Sequence, residues 1–273
     1  GQMTVVIVTT LLLWAFGLGI WYILPILWSL VPIYNVFRFA KVPLVPPIPE
    51  EHKTPIKRLL TTNIFVVAMV LMICAGASEL TMSQWSSLFA ELGLGVPKVV
   101  GDLLGPALFA LFMGIGRTVY GIWGHKIHLK SALLASAIFC VLCYAVTVFA
   151  AHPLVSLMGC ALCGLAVALM WPGTFSLTAA SFPLGGTALF GILAICGDIG
   201  AATGPWLAGV ASQYALDSSR LLAYGVQNGL SPDQVSLRFG LLVAMIFPII
   251  AIVGLLLWKE RIVTAEPVIA PTS

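Results

Sequence analysis

Charge is what this sequence has least of. Asp, Glu, Lys and Arg together make up 8% of its 273 residues, where a soluble domain carries about 25%. So few polar groups cannot cover a globule in water, so a water-soluble domain is excluded. Disorder is excluded as well, because it needs low hydrophobicity and high charge, whereas this chain is 60% hydrophobic with a mean hydropathy of +1.07. The chain is an integral membrane protein by composition.

Enzyme signatures are also lacking. There is no Gly-x-Ser-x-Gly elbow, no His-Glu-x-x-His, no P-loop and no Rossmann fingerprint. Gly-Asp occurs at 101–102 and 197–198, but Val99 and Ile195 stand where an intramembrane aspartyl protease has the first Gly of Gly-x-Gly-Asp. We therefore expect no enzyme and no cofactor. Cys140-x-x-Cys143 and Cys160-x-x-Cys163 match a zinc-ribbon spacing. Both pairs sit in apolar stretches with no charge nearby to support a thiolate, so they read as small packing residues, as do Cys74 and Cys196. His125 and His128 lie in a basic loop and read as headgroup-facing groups, with no metal expected.

The gaps between charges define the architecture. No charged residue precedes Arg38, and none lies between Lys130 and Asp198, a run of 67 residues. A spanning helix needs about 20 apolar residues, so this run holds more than one. Ala151-His152-Pro153 and Ser181–Gly186 cut it. Seven spans result, near 4–30, 61–84, 103–124, 131–150, 153–176, 187–211 and 238–258. They lack strand periodicity and are about twice the length of barrel strands, so an all-α integral membrane fold of seven transmembrane helices is expected. The first span has neither the basic flank nor the cleavage site of a signal peptide. Gly1 is not an initiator Met, which suggests a fragment or a processed product.

Basic residues set the expected orientation. With 31–60 cytoplasmic, that side holds Arg38, Lys41, Lys53, Lys57, Arg58, Arg117, Lys126, Lys130, Lys259 and Arg261. The other side holds only Lys98, Arg220 and Arg238. The N-terminus is then outside and the C-terminus cytoplasmic, as suits a plasma-membrane protein. The net charge of +3 is a topology signal, and no nucleic-acid partner is expected. Five prolines between Pro43 and Pro55 mark an extended linker. The chain divides into a single helix (1–35), a Pro-rich cytoplasmic loop (36–60), a six-helix bundle (61–261) and a tail (262–273).

An ionised side chain at the centre of a bilayer costs about 2.5–3.5 kcal/mol on insertion scales, so each one within a span needs a reason. Asp198 is placed near the midplane, followed by Gly200, Gly204 and Pro205. Gly200 and Gly204 let another helix approach closely, and Pro205 frees a backbone carbonyl. Asp198 reads either as a proton- or substrate-binding carboxylate facing a cavity or as a protonated Asp bonded to a neighbouring helix. Glu79 is placed toward the outer end of the second span with Gln84 and Trp85 close by, lining a vestibule or resting in the interface. Arg117 is placed about two turns from the cytoplasmic end of the third span. There it would snorkel or brace helix ends rather than touch substrate. Trp171-Pro172-Gly173-Thr174 breaks or bends the fifth span, which marks either a transport site or a plain kink.

Three pieces in this order resemble the C-terminal half of a major facilitator superfamily transporter, over Gly76 to Gly209. They are Gly76-Ala77-Ser78-Glu79 with Trp85, then Gly116-Arg117 with Gly121 and Lys126, then the Trp171–Ser176 segment leading to Gly197-Asp198-x-Gly200 and Gly204-Pro205. The second is similar to a degenerate copy of the superfamily's cytoplasmic loop motif, without its Asp-Arg pair. Within that superfamily the pieces look like those of the fucose permease-like group. The resemblance implies helices six to twelve of a twelve-helix fold, with helices one to five missing as a partner half. It implies proton-coupled alternating access for a small solute such as a sugar. The implied substrate and proton pathway is Glu79, Gln84, Trp85, Trp171, Thr174 and Asp198. Arg117, Lys126, Gly200, Gly204 and Pro205 would gate or support it. A seven-helix receptor and a non-transporting fragment are the alternatives. A retinal receptor lacks support because the last span contains no Lys.

Overall fold

The computed structural model describes residues 2–43, 54–93 and 95–259. Most of the Pro-rich loop and the 262–273 tail, with Lys53 and Arg261, lie outside the described residues. Among those described, the regular structure is entirely helical. Six helices are long and apolar enough to cross a membrane: Asn63–Leu92, Lys98–Lys126, Leu129–Phe149, Pro153–Ser181, Gly186–Asp217 and Pro232–Leu257. Six of the seven expected spans are therefore present.

The first expected span differs. It is two shorter helices, α1 (Gln2–Phe16) and α2 (Ile23–Phe39), joined by a 3-10 turn at Leu18–Ile20. Gly17 adopts φ +80° with nothing packed on it, a conformation that ends the helix there. Trp28 Nε1 donates to Thr9 Oγ1 at 3.1 Å and ties the two pieces. Helix α2 runs past the expected loop start, and α3 (Ile56–Thr61) forms inside the expected loop.

Proline accounts for the internal breaks. A proline cannot donate to residue i−4, and its ring crowds that carbonyl. In the third expected span, α5 (Lys98–Asp102) passes through a π-turn at Leu103–Ala107 into α6 (Leu108–Trp123), around Pro106. Helix α4 (Asn63–Leu88) precedes it, and α7 (Leu129–Phe149) follows as one helix. The fifth span parts at Ala168 and Leu169 into α8 (Pro153–Val167) and α9 (Met170–Ser181). Ala168 is the residue whose partner Pro172 deletes. The break expected at Trp171–Thr174 is thus displaced by one turn, and the helix continues to Ser181. After α10 (Gly186–Asp217) and α11 (Ser219–Gln227), the last span parts at Met245, between α12 (Pro232–Ala244) and α13 (Ile246–Leu257), upstream of Pro248.

Helices in lipid gain no hydrophobic driving force by associating, so close packing and interhelical hydrogen bonds hold them together. Glycines serve the closest crossings. A Cβ on Gly200 would lie 2.0 Å from the Ile73 carbonyl oxygen, and one on Gly76 would lie 2.1 Å from that of Gly197. A Cβ on Gly204 would strike Thr81 and Ala77. These contacts set α4 directly against α10. Gly164 does the same for α8 against Phe109 of α6. The cysteines are buried at such interfaces, with Cys140 and Cys163 Sγ atoms 3.8 Å apart between α7 and α8.

Polar ties fix register. Tyr144 donates from α7 to the Ser78 carbonyl at 2.9 Å. Arg238 Nη2 donates to Ala150 O at the end of α7, and Lys130 Nζ to Trp258 O at the end of α13, each a cation on helix-terminal carbonyls. Ser212 and Ser236 share a buried hydroxyl–hydroxyl bond of 2.8 Å between α10 and α12. Interhelical bonds of this kind average about 0.6 kcal/mol and reach about 1.7. Ser212→Ala is expected to lower stability within that range in a detergent unfolding titration. A loss beyond it would mean that the hydroxyl pair anchors more than its own bond.

Candidate functional site

An open groove of ≈ 560 Å³ is lined by Glu79, Leu80, Arg117, Tyr120, Trp171, Pro172, Asp198 and Ala201. Its residues come from α4, α6, α9 and α10, so four helices build it.

Helix length sets the depth of the groove. Helix α4 and the π-turn that follows it carry the helical span eight residues past Gln84 as far as Leu92, so Glu79 lies sixteen residues into a span of 30. That is about 24 Å from Asn63 at 1.5 Å per residue. The outer-end placement of Glu79 is therefore corrected: it sits near the middle of its span. Asp198 is twelve residues, about 18 Å, from Gly186. Arg117 is nine residues, about 14 Å, from Lys126. The antiparallel course of the helices puts Asn63, Lys126 and Gly186 at one end of the bundle, so all three groups share the central zone.

Arg117 does not snorkel. Side chains on a helix lean toward its N-terminus, which for α6 means away from Lys126 and deeper into the bundle. The guanidinium meets Glu79 there, with Nη2 3.5 Å from Oε1 and 3.3 Å from Oε2. The Glu79 side chain is 13% exposed and that of Arg117 45%, so the pair sits at the groove wall with the cation toward the opening. Sequence reading missed this pairing, since the residues stand 38 positions apart on different spans. The available signal was two costly charges of opposite sign within the spans, and the outer-end placement of Glu79 hid their shared depth.

Asp198 is exposed on α10 and has no hydrogen-bond or ion-pair partner among the described residues. The alternative of an Asp bonded to a neighbouring helix therefore finds no partner here. Trp171 lines the groove beside Asp198. A Cβ on Gly197 would lie 2.4 Å from the indole ring, so the glycine before Asp198 is what admits Trp171. The ring continues into Phe175 at 6.5 Å and Phe190 beyond it. Pro205 has no N–H, which leaves the carbonyl of Ala201, a lining residue, without its intrahelical donor.

The remaining expected residues are elsewhere. Thr174 is buried and donates to the Met170 carbonyl at 2.6 Å within its own helix. Trp85 packs near Gly209, where an added Cβ would lie 3.7 Å from its ring, and Gln84 is exposed one turn beyond the groove. Lys126 lies in the exposed Gly124–Lys126 turn after α6. Gly200 and Gly204 belong to the α4–α10 crossing that holds Glu79 and Asp198 in place.

A family model described as the Major Facilitator Superfamily matches residues 1–205. The chain belongs to the major facilitator superfamily. No curated protein and no solved structure matches it. Members of this superfamily are membrane transporters, not enzymes, that move small solutes across the bilayer, so the chain is an integral membrane protein of a transporter family. For a major facilitator superfamily protein, the groove has a suitable composition. It offers one ion pair, one carboxylate without a partner among the described residues and an indole face, surrounded by apolar walls.

Proposed function

We propose that the bundle binds and moves a small polar solute, with a sugar as the favoured class, by proton-coupled alternating access. One observation carries this: Asp198 stands unpaired at mid-depth on an open groove that also holds the Glu79–Arg117 pair. A lone carboxylate is too costly to leave against lipid, so it faces a watery path or a second bundle. The bare helix faces beside it support the second bundle. A Cβ added to Gly114 or Gly121 on α6, or to Gly191 on α10, would meet nothing within 4 Å. A facing half would complete the site, and rocking of the halves would expose Asp198 to each side in turn.

In this reading Asp198 carries the proton and Glu79–Arg117 holds the polar edge of the solute. Trp171 supplies the flat face on which a sugar ring stacks. The excess of bases on one side supports a cytoplasmic C-terminus in the plasma membrane.

The test is uptake of a panel of radiolabelled hexoses by cells expressing the protein, with and without a proton gradient. Asp198→Asn is expected to abolish accumulation while leaving surface expression and downhill exchange intact. Accumulation at the wild-type level in Asp198→Asn would remove the proton role. Lack of any hexose uptake by the wild type would remove the sugar assignment.

A further inference from the structure

A second cavity lies away from the groove. It measures ≈ 680 Å³ and sits between the α7–α8 turn, α11 and the first turns of α12. From this cavity we infer a binding site for an anionic phospholipid. The headgroup phosphate is seated on Arg238, and an acyl chain lies along the apolar wall formed by Leu221, Phe149 and Phe239.

Charge is the first argument. No Asp or Glu lines the cavity, and Arg238 is its single charged residue. Arg238 has no carboxylate within ion-pair distance among the described residues. Its Nη2 donates to the Ala150 carbonyl at 3.1 Å, whereas Nε is buried with no partner. A guanidinium has five N–H donors in a planar fork that fits phosphate oxygens. Nη1 has no hydrogen-bond partner among the described residues, so the outer edge of the fork is unspent.

Position is the second argument. Ala150 ends α7, so the guanidinium bonded to it lies level with the helix ends, where headgroups sit. Helix α11 is a short amphipathic helix between two spans, with Tyr224 and Val226 exposed, as suits the bilayer interface. Tyr224, Asn228 and Gln234 supply polar groups to the lining beside Arg238, and most of the remaining lining is apolar. A free phosphate would leave that apolar lining and most of the volume unused, whereas a lipid occupies both.

The site is independent of the transport reading. The test is native mass spectrometry of the purified protein in detergent, with phosphatidylglycerol and phosphatidylcholine of identical chains. The wild type is expected to retain phosphatidylglycerol about tenfold better, the ratio that one extra charge-assisted contact supplies. Arg238→Gln is expected to erase the difference. Because Arg238 also caps α7, Leu221→Trp serves as a second variant that fills the cavity and leaves the cap intact, and it is expected to lose the lipid as well. Equal retention of both lipids by the wild type, or an excess that survives both variants, would overturn the site. Complete displacement of phosphatidylglycerol by millimolar inorganic phosphate would overturn the lipid in favour of a small anion. Retention in its presence supports the lipid.

Discussion

Gly200→Leu is expected to yield no folded, monodisperse protein in detergent. The physical reason is the obstacle, since a Cβ at this position would lie 2.0 Å from the Ile73 carbonyl oxygen and 2.7 Å from its carbon. A side chain can rotate away, but a helix backbone cannot, so α4 and α10 must part. Overpacking an ordinary core costs about 1–3 kcal/mol. Parting this crossing also opens the contacts at Gly76 and Gly204, so the upper end of that range is a minimum. Native proteins hold only about 5–15 kcal/mol in total. Gly191→Leu is the control. It lies in the same helix with nothing within 4 Å, and it gains the same helix propensity of about 1 kcal/mol. Size-exclusion profiles and thermal midpoints should therefore show loss of the folded peak for the first variant and none for the second. Wild-type behaviour of Gly200→Leu would mean that the α4–α10 crossing is not the keystone of the bundle.

The fold was legible where the cause was local. Ala151-His152-Pro153 is a turn because Pro153 opens α8 and His152 accepts from the Leu154 N–H. Six spans follow from charge-free gaps, since a gap of that kind is what the bilayer demands. Span ends were not legible by the same rule. Helices continue through charges once they leave hydrocarbon, as α10 does in running 32 residues to Asp217. At 1.5 Å per residue this is about 48 Å, well beyond a core of about 30 Å, so the helix tilts or protrudes. Reading the second span as 61–84 cut off the part beyond Gln84, and this alone moved Glu79 from the middle of its helix to the end. The first span failed for a different reason. Hydropathy does not register the backbone conformation of Gly17, and that conformation divides the segment.

The site was legible as a set of costly groups but not as an arrangement. Asp198, Glu79 and Trp171 were selected because charge and helix breaks are expensive in lipid, and the structure brings these three onto one groove. Thr174 and Trp85 were selected for their neighbours in sequence. Both turn their polar or aromatic groups to their own helix or to a packed crossing. Tyr120 was not among the residues selected from the sequence. It is one turn from Arg117, and that spacing puts it on the same groove.

The Glu79–Arg117 pair makes the sharpest functional prediction. Arg117→Met is expected to be the worst of three variants in both stability and uptake. It leaves Glu79, only 13% exposed, without its counter-ion. Breaking a buried pair costs about 3–5 kcal/mol. Arg117 is itself nearly half exposed, which screens the interaction, so a loss of about 1–3 kcal/mol is expected here. Glu79→Gln leaves a more exposed cation that can reach the groove's water, and should cost less. The double variant Glu79→Gln with Arg117→Met removes both charges and should recover much of the stability lost by Arg117→Met alone. Its uptake should stay near background, because the polar edge of the solute then has nothing to hold it. A double-mutant cycle on thermal unfolding reads the first claim, and hexose uptake reads the second. Additive stability losses would show that the 3.3 Å contact carries no coupling. Restored uptake in the double variant would assign the pair to scaffold rather than to solute binding. If instead stability recovers without activity, the two charges are positioned for the solute, and their attraction serves to keep that position while the groove is empty.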